Sequence, residues 1–183
     1  PEGRLLHTPE NEAACASCDG LRRAMEEGTV LEGVAQLCDG AHNLLVSVGP
    51  FTGFLPREEA ALGIAEGTTR EIAILSRVGK PVCFQITALE ESGGVLRPRL
   101  SRRRAQQAAL DAMLAGLHPG CILPAVVTHL ESFGAFVDIG CGVPSLIGIE
   151  NISVSRIPHP DQRFRVGQAI FAVVQELDPK LGR

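Results

Sequence analysis

The stretch that decides the fold is Ser132-Phe133-Gly134-Ala135-Phe136-Val137-Asp138-Ile139-Gly140. From Ala135 to Ile139 the aliphatic side chains alternate with Phe136 and Asp138, which is the period of a half-buried β-strand. If the aliphatic side chains face a core, Phe136 points outward beside Asp138. The stretch therefore predicts a strand with an aromatic ring on its outer face.

Phe133 decides whether this outer face carries one ring or two. Strict alternation sends Phe133 inward, but a kink or bulge at Gly134 brings it outward, because glycine permits that geometry. Two exposed Phe rings on one strand form a platform on which nucleic-acid bases stack. The same pattern also fits two core rings, since buried Phe is common.

The rest of the second half has the same β character. Its expected strands cover residues 122–130, 133–139, 145–149 and 166–177. Pro124 cannot donate a ladder hydrogen bond, so we expect it at an edge or a bulge. A polar loop that contains Arg156 and His159 separates the last two strands.

The first half shows a similar succession of short β runs and turns. Its expected strands cover residues 29–38, 43–48, 71–75, 82–88 and 95–100. Five short strands separated by Gly-rich turns fit a small closed barrel. The two halves repeat one coarse order of elements, which is itself a clue to the fold.

Residues 1–27 predict helices that precede the first barrel. Thr8 is a good N-cap, and Pro9 suits the first helical position. Asp19 is expected to cap a second short helix, which Gly28 ends. We interpret this segment as a helical lead that packs on the first barrel.

Residues 102–117 predict a helix that connects the two halves. Its expected apolar stripe consists of Ala105, Ala108, Ala109, Ala112 and Met113. The helix begins with Arg102, Arg103 and Arg104, although cations in a first turn oppose the helix dipole. An acidic or phosphate partner explains this cluster, and so does a solvated charged turn.

Composition restricts the classes of function. The net charge is −4, which argues against a generally polybasic nucleic-acid binder, so RNA binding would need a local patch and stacking. The chain has seven Phe and no Trp or Tyr. No apolar run spans a membrane and no signal pattern appears, so a soluble intracellular protein is expected. Cys15 and Cys18 form a lone C-x-x-C, which is weak evidence for a metal site.

No catalytic grouping appears in the sequence. There is no phosphate-binding glycine loop, no G-x-S-x-G and no H-E-x-x-H. The five His are scattered, and His129 is expected to make a hydrogen bond or to lie on the surface. The sequence therefore predicts a non-enzymatic protein without cofactor or metal.

Residues 120–183 resemble the S-one (S1) RNA-binding domain, an OB-fold module. The resemblance is carried by residues 133–140, Ser145-Leu146-Ile147, Ile152-Ser153, residues 156–160, residues 164–168 and residues 178–183. It implies that Phe133, Phe136, Asp178 and Arg183 lie on an RNA-binding face. Lys180 is a further candidate for contact with phosphate or base edges.

Two departures from the family pattern stand out. Gly148 occupies the position where the family often has a His on the binding face, so one stacking or hydrogen-bonding group is missing. The family usually continues into a last strand after the residue equivalent to Arg183. The last strand of the second barrel is therefore expected to be truncated.

Residues 29–104 look like a more divergent copy. Gly53-Phe54-Leu55-Pro56-Arg57-Glu58-Glu59 and Leu100-Ser101-Arg102-Arg103 resemble segments of ribosomal S1 proteins. The Phe-Gly-x-Phe strand is absent, since its place is taken by residues 43–48. The resemblance implies a leading domain that docks on the ribosome or on other proteins.

The sequence as a whole predicts a mainly β protein with two five-stranded OB-fold barrels in tandem. The expected parts are a helical lead (1–27), a first barrel (28–101), a connector helix (102–117) and a second barrel (118–183). The expected function is binding of single-stranded mRNA in translation, with small ribosomal subunit proteins as partners, in the cytoplasm and without membrane or small-molecule substrate. The alternatives are a protein docking module, or an accessory RNA-binding region of a ribonuclease or polynucleotide phosphorylase.

Overall fold

The computed structural model describes all 183 residues and contains two compact units. Apart from Pro1, the first unit comprises Glu2–Ala108 and the second Ala109–Arg183. Strands account for 34% of the residues and helices for 25%, so the prediction of a mainly β protein is confirmed. None of the helices combines the length and the apolar character that crossing a membrane requires.

Two short helices precede the first sheet, α1 (Pro9–Cys15) and α2 (Cys18–Glu27). Thr8 caps α1 as predicted, because its hydroxyl accepts a hydrogen bond from the Asn11 amide. The N-cap of α2 is Ser17 rather than Asp19, which lies in the first turn, where a negative charge suits the helix dipole. Gly28 ends α2 in the left-handed conformation with φ 65°.

The first unit contains a closed five-stranded barrel. Its strands are β1 (Leu31–Cys38), β2 (Leu44–Val48), β3 (Phe51–Leu55), β4 (Pro81–Ser92) and β5 (Val95–Ser101). They follow one another around the barrel in the order β1-β2-β3-β5-β4. All neighbours are antiparallel except β3 and β5, which are parallel. The barrel is filled mainly by Leu and Val together with Phe84, and Leu21 and Ala24 of α2 join this core.

One predicted strand of the first barrel is wrong. Residues 71–75 contain a short helix, α3 (Ile72–Leu75), in which only Ile74 is buried. Spacing cannot separate a strand from one helical turn over so few residues, and here Ile72 is 63% exposed while Ile74 is buried. The third strand of the barrel is instead β3, which pairs with β2 along its whole length.

The connector helix α4 extends over Arg102–Gly116, as predicted within a residue. Its expected apolar stripe is only partly buried: Ala105 is in the interior, while Ala108 and Ala112 are exposed. The other buried residues of α4 are Arg102 and Gln106, whose side chains are polar. Its packing therefore depends on polar contacts near its N-terminus, which a hydrophobic pattern does not reveal.

The second unit contains a four-stranded antiparallel sheet instead of the expected five-stranded barrel. Its strands are β6 (Ile122–Glu131), β7 (Gly134–Asp138), β8 (Pro144–Gly148) and β9 (Ala169–Val173), in the order β8-β7-β6-β9. No fifth strand joins β8 to β9. Between them lie two short 3-10 turns, Ile149–Asn151 and Pro160–Gln162.

β9 is shorter than the predicted strand over residues 166–177. It pairs with β6 from Val126↔Ala169 to Ile122↔Val173. Because β6 begins at Ile122, residues after Val173 have no residue of β6 with which to pair. Pro124 lies in the part of β6 that pairs with β9 alone, which agrees with the expected edge-like position. The small core of this unit consists of Ala125, Val127 and Val137 with partly buried aliphatic residues and Phe164 around them.

Candidate nucleic-acid interface

Strand β7 sends its side chains alternately to the core and to the outer face. Ala135 and Val137 are buried, and the half-buried Phe136 lies on the opposite face. Asp138, at the end of the strand, is buried because its carboxylate accepts hydrogen bonds from the amides of Gly140 and Gly142. Phe136 is therefore the outward-facing ring that the sequence predicted, whereas Asp138 closes a turn.

Phe133 lies outside the strand, in the two-residue turn between β6 and β7, and 53% of its surface is exposed. Its ring meets the edge of Phe136 at a centroid distance of 6.0 Å and an angle of 88°. The turn, rather than a bulge at Gly134, brings Phe133 outward. Gly134 is needed for a different reason: a Cβ there would collide with the carbonyl oxygen of Ile147 in β8.

His129 of β6 adds a third ring to this face. Its ring stacks on Phe136 with 6.2 Å between centroids and an interplanar angle of 28°. Its Nε2 lies 2.7 Å from a carboxylate oxygen of Glu131. The register shift between Val127 and His129 places His129 opposite Phe136, and sequence reasoning missed this contact because no residue type marks the bulge.

Leu146 of β8 completes a row across three strands. It pairs with Phe136 and is 49% exposed. Together, His129, Phe133, Phe136 and Leu146 form what we call the aromatic platform. Such a surface offers π-faces and apolar area to a flat ligand without requiring a particular base.

The position predicted to lack a histidine lies at the end of β8. Gly148 pairs with Gly134 across the strands, so no side chain extends the platform there. His129 lies on β6 and Gly148 on β8, so the two positions are on opposite sides of β7.

Asp178, Lys180 and Arg183 lie together in a C-terminal turn. The backbones of Asp178 and Arg183 exchange hydrogen bonds of 2.7 and 3.0 Å. The Asp178 carboxylate accepts hydrogen bonds from the amides of Lys180 and Leu181, both at 3.1 Å. Lys180 and Arg183 are exposed and take part in none of the ion pairs, so both cations are available to an anionic ligand.

The three arginines at the start of α4 occupy three different environments. Arg102 is 5% exposed, and its guanidinium donates hydrogen bonds of 2.9 and 2.5 Å to the carboxylate of Glu2 and one of 3.1 Å to the Ala60 carbonyl. Arg103 pairs with Glu66 at 2.9 Å on the surface. Arg104 is exposed and has no ion pair. Of the three arginines predicted to form a surface cluster, Arg104 alone is exposed without an ion pair, because Arg102 is buried in the first unit and Arg103 pairs with Glu66.

Glu2 is the buried partner that fixes Arg102. Burial alone would raise the pKa of Glu2, but the guanidiniums of Arg102 and Arg77 outweigh it and hold this pKa below its ordinary value. The carboxylate also accepts a hydrogen bond of 2.8 Å from the Cys83 amide. The charge pair is a structural element of the first barrel.

The C-x-x-C pair is split between two environments. Cys15 is buried, and burial raises the pKa of its thiol to about 11, whereas Cys18 is exposed. A high pKa disfavours the thiolate that metal binding and redox chemistry require. The geometry therefore gives no support to a two-cysteine site.

Comparison with known families finds a match for the second unit. Residues 117–183 match the sequence model described as "S1 RNA binding domain". This match confirms the resemblance predicted from the motifs of the second half.

Relatives extend the similarity over nearly the whole chain. The chain is 27% identical over 187 residues to the small ribosomal subunit protein bS1 of Neisseria meningitidis, covering 99% of this chain and 31% of that protein. It is 28% identical over 184 residues to bS1 of Mycobacterium tuberculosis, covering 97% and 35%. It is also 35% identical over 103 residues to Protein tex of Bordetella pertussis, covering 56% and 13%. The chain thus spans about a third of the bS1 proteins that it resembles.

Proposed function

We propose that this chain, whose residues 117–183 belong to the S1 RNA-binding domain family, is a non-enzymatic protein that binds single-stranded RNA in translation. The observation that carries the proposal is the aromatic platform. Three rings lie together on one outer face of the second sheet, where His129 and Phe133 each contact the central Phe136. A folded domain exposes such a group of rings at a cost in apolar hydration, which a stacking ligand removes.

Base stacking provides most of the affinity in this proposal. Each base that stacks on an aromatic ring contributes about 1–3 kcal/mol and tolerates many sequences. Phe136 and Phe133 receive the bases, and Arg183 with Lys180 contacts phosphates or base edges. This division suits a chain of net charge −4, in which a strongly positive field is absent.

The bS1 relatives support a role in translation. Their similarity covers both units, so the same arrangement of a divergent first unit and an RNA-binding second unit fits a ribosome-associated protein. We propose mRNA as the RNA, the small ribosomal subunit as the site of association, and the cytoplasm as the location. The first unit lacks the aromatic pair, and we propose that it docks on protein.

Fluorescence anisotropy with a labelled single-stranded RNA of about a dozen nucleotides tests the proposal, since this length covers one or two OB-fold sites. The full chain is compared with a Phe133→Ala/Phe136→Ala double variant. Phe171→Ala is the matched control, because Phe171 is 80% exposed on β9 and lies outside the platform. We expect the double variant to lose binding while the control binds like the wild-type chain.

Thermal melts followed by circular dichroism accompany the titrations. Neither ring belongs to the core of the second unit, so the double variant should melt close to the wild-type temperature. A folded wild-type chain that binds no RNA contradicts the proposal. Equal losses in the double variant and in Phe171→Ala contradict the assignment of the platform.

A further inference from the structure

The cations of the second unit are left without partners. Residues 109–183 contain five Arg and Lys residues, Arg156, Arg163, Arg165, Lys180 and Arg183, and all are exposed. Every Arg that forms an ion pair lies in the first unit. The carboxylate of Asp161, two residues before Arg163 in the sequence, is 3.3 Å from a ring nitrogen of His159. The second unit therefore presents guanidinium groups that no carboxylate of the chain neutralises.

Arg163 and Arg165 lie on an anchored loop. Phe164, between them, is half-buried and packs against the core of the second sheet. The amides of Arg163 and Phe164 donate hydrogen bonds of 2.9 Å to the Pro160 carbonyl, and the Arg165 amide donates one of 3.0 Å to the Gln168 side chain. Both arginines are among the residues that line a cleft of about 610 Å³, which extends from Asp161 to Gln168. Their backbone positions are thus fixed before any ligand arrives.

The end of this loop continues β9 along the edge of β6. The Val127 amide donates to the Gln168 carbonyl at 2.9 Å, and the Gly167 amide donates to the Val127 carbonyl at 2.7 Å. Val127 is two residues from His129, and β7 with Phe136 lies on the other edge of β6. The loop therefore lies beside the aromatic platform, about two strand spacings or roughly 10 Å from β7.

We propose that Arg163 and Arg165 form a phosphate-binding rim for RNA whose bases lie on the aromatic platform. The inference rests on the proposed RNA-binding function and adds a direction to it. In this proposal the RNA runs across β7 and β6, from Phe136 over His129, and then passes over the cleft. There the guanidiniums of Arg163 and Arg165 contact its phosphates. Guanidinium is suited to this task, because its fork of N–H donors matches phosphate oxygens.

The salt dependence of RNA binding tests the rim. Each phosphate contact to a single strand contributes about −0.7 to the slope of log K against log salt concentration. Arg163→Gln/Arg165→Gln should make the slope shallower by about 1.4, which is about a 25-fold loss of affinity at roughly 0.1 M salt. Arg22→Gln/Arg23→Gln on α2 is the control, since both residues are exposed and the charge lost is the same.

The conservative variant Arg163→Lys/Arg165→Lys separates charge from structure. It should restore most of the slope, because each Lys keeps the positive charge. Circular dichroism melts of all variants should match wild type, since the loop is held by backbone hydrogen bonds and by Phe164.

Three results overturn the rim. They are an unchanged slope in the Gln variant, an equal change in the control, and a failure of the Lys variant to restore the slope. If wild type binds RNA through Phe133 and Phe136 while the Gln variant behaves normally, the rim fails and the proposed function stands. If wild type binds no RNA, both fail.

Discussion

The two units place different side chains on the same row of a similar sheet. In the second unit the row runs His129, Phe136 and Leu146 across β6, β7 and β8. In the first unit the pairings Leu37↔Leu45 and Leu45↔Phe54 form the equivalent row across β1, β2 and β3. Each row follows a register shift in its first strand, between Ala35 and Leu37 or between Val127 and His129. The backbone supplies the row, and the side chains determine what it can bind.

The one aromatic ring of the first row is already covered. The guanidinium of Arg99 lies over the Phe54 ring, 5.5 Å from its centroid. Arg99 reaches this place because β5 closes the barrel beside β3, with Phe54 paired to Arg99. In the second unit no strand lies beyond β8, and Leu146 remains open to solvent. Closure of the sheet and aliphatic side chains together make the first row a poor stacking surface.

The largest expected difference between the units concerns stability. The first unit contains the buried pair of Glu2 and Arg102, whereas the second contains no buried ion pair. Arg102→Ala leaves the Glu2 carboxylate buried without its main partner, which should lower the free energy of unfolding of the first unit by about 3–5 kcal/mol. RNA affinity should stay unchanged.

Hydrogen exchange measured by mass spectrometry reads the two units separately. Peptides from β1 to β5 should exchange faster in Arg102→Ala, and peptides from β6 to β9 should not. Arg103→Ala is the neighbouring control, because its pair with Glu66 is exposed to solvent and contributes little to stability. A loss of RNA affinity with an intact first unit would show instead that Arg102 acts on the ligand.

The next prediction compares equivalent positions. Phe136→Ala should weaken RNA binding by about 1–3 kcal/mol, because it removes the central ring of the platform. Leu45→Ala, the matching change in the first unit, should leave RNA affinity as it is. Anisotropy titrations measure both variants, and melts identify any loss of packing. If the two variants lose affinity equally, the comparison between the units does not hold.

Local signals in the sequence predicted the start of α1 and the end of α2, although they misplaced the N-cap of α2, and non-local contacts decided the rest. Thr8 and Gly28 act within a few residues of themselves, so their roles were readable. The burial of Arg102 depends on Glu2, which is 100 residues away. Spacing alone could not exclude a strand at residues 71–75, and the length of β9 was limited by where β6 begins. Strand alternation placed Phe136, but the bulge that brings His129 to it left no trace in residue type.

The smallest expected effect comes from placing aromatic side chains on the row of the first unit. This change tests directly whether side chains explain the difference in RNA binding between the two rows. In a Phe133→Ala/Phe136→Ala background, Leu37→His/Leu45→Phe should create a two-ring row in the first unit. The gain should be about 1 kcal/mol, or about fivefold in RNA affinity, because the ring at position 45 receives one base and the ring at position 37 supports it, next to the Arg99 guanidinium. Leu37→Ala/Leu45→Ala in the same background is the control, and anisotropy is the readout.

If RNA affinity rises in the Leu37→His/Leu45→Phe variant alone, the side chains of the row are sufficient to explain why the second unit binds RNA and the first does not. No gain in a folded variant means that the turn beside the row matters as well. In the first unit the turn between β1 and β2 holds no equivalent of Phe133: its His42 pairs with Glu71 instead. RNA binding by the aromatic platform would then depend on Phe133 as much as on the row itself, since the Phe133 ring makes a T-shaped contact with Phe136.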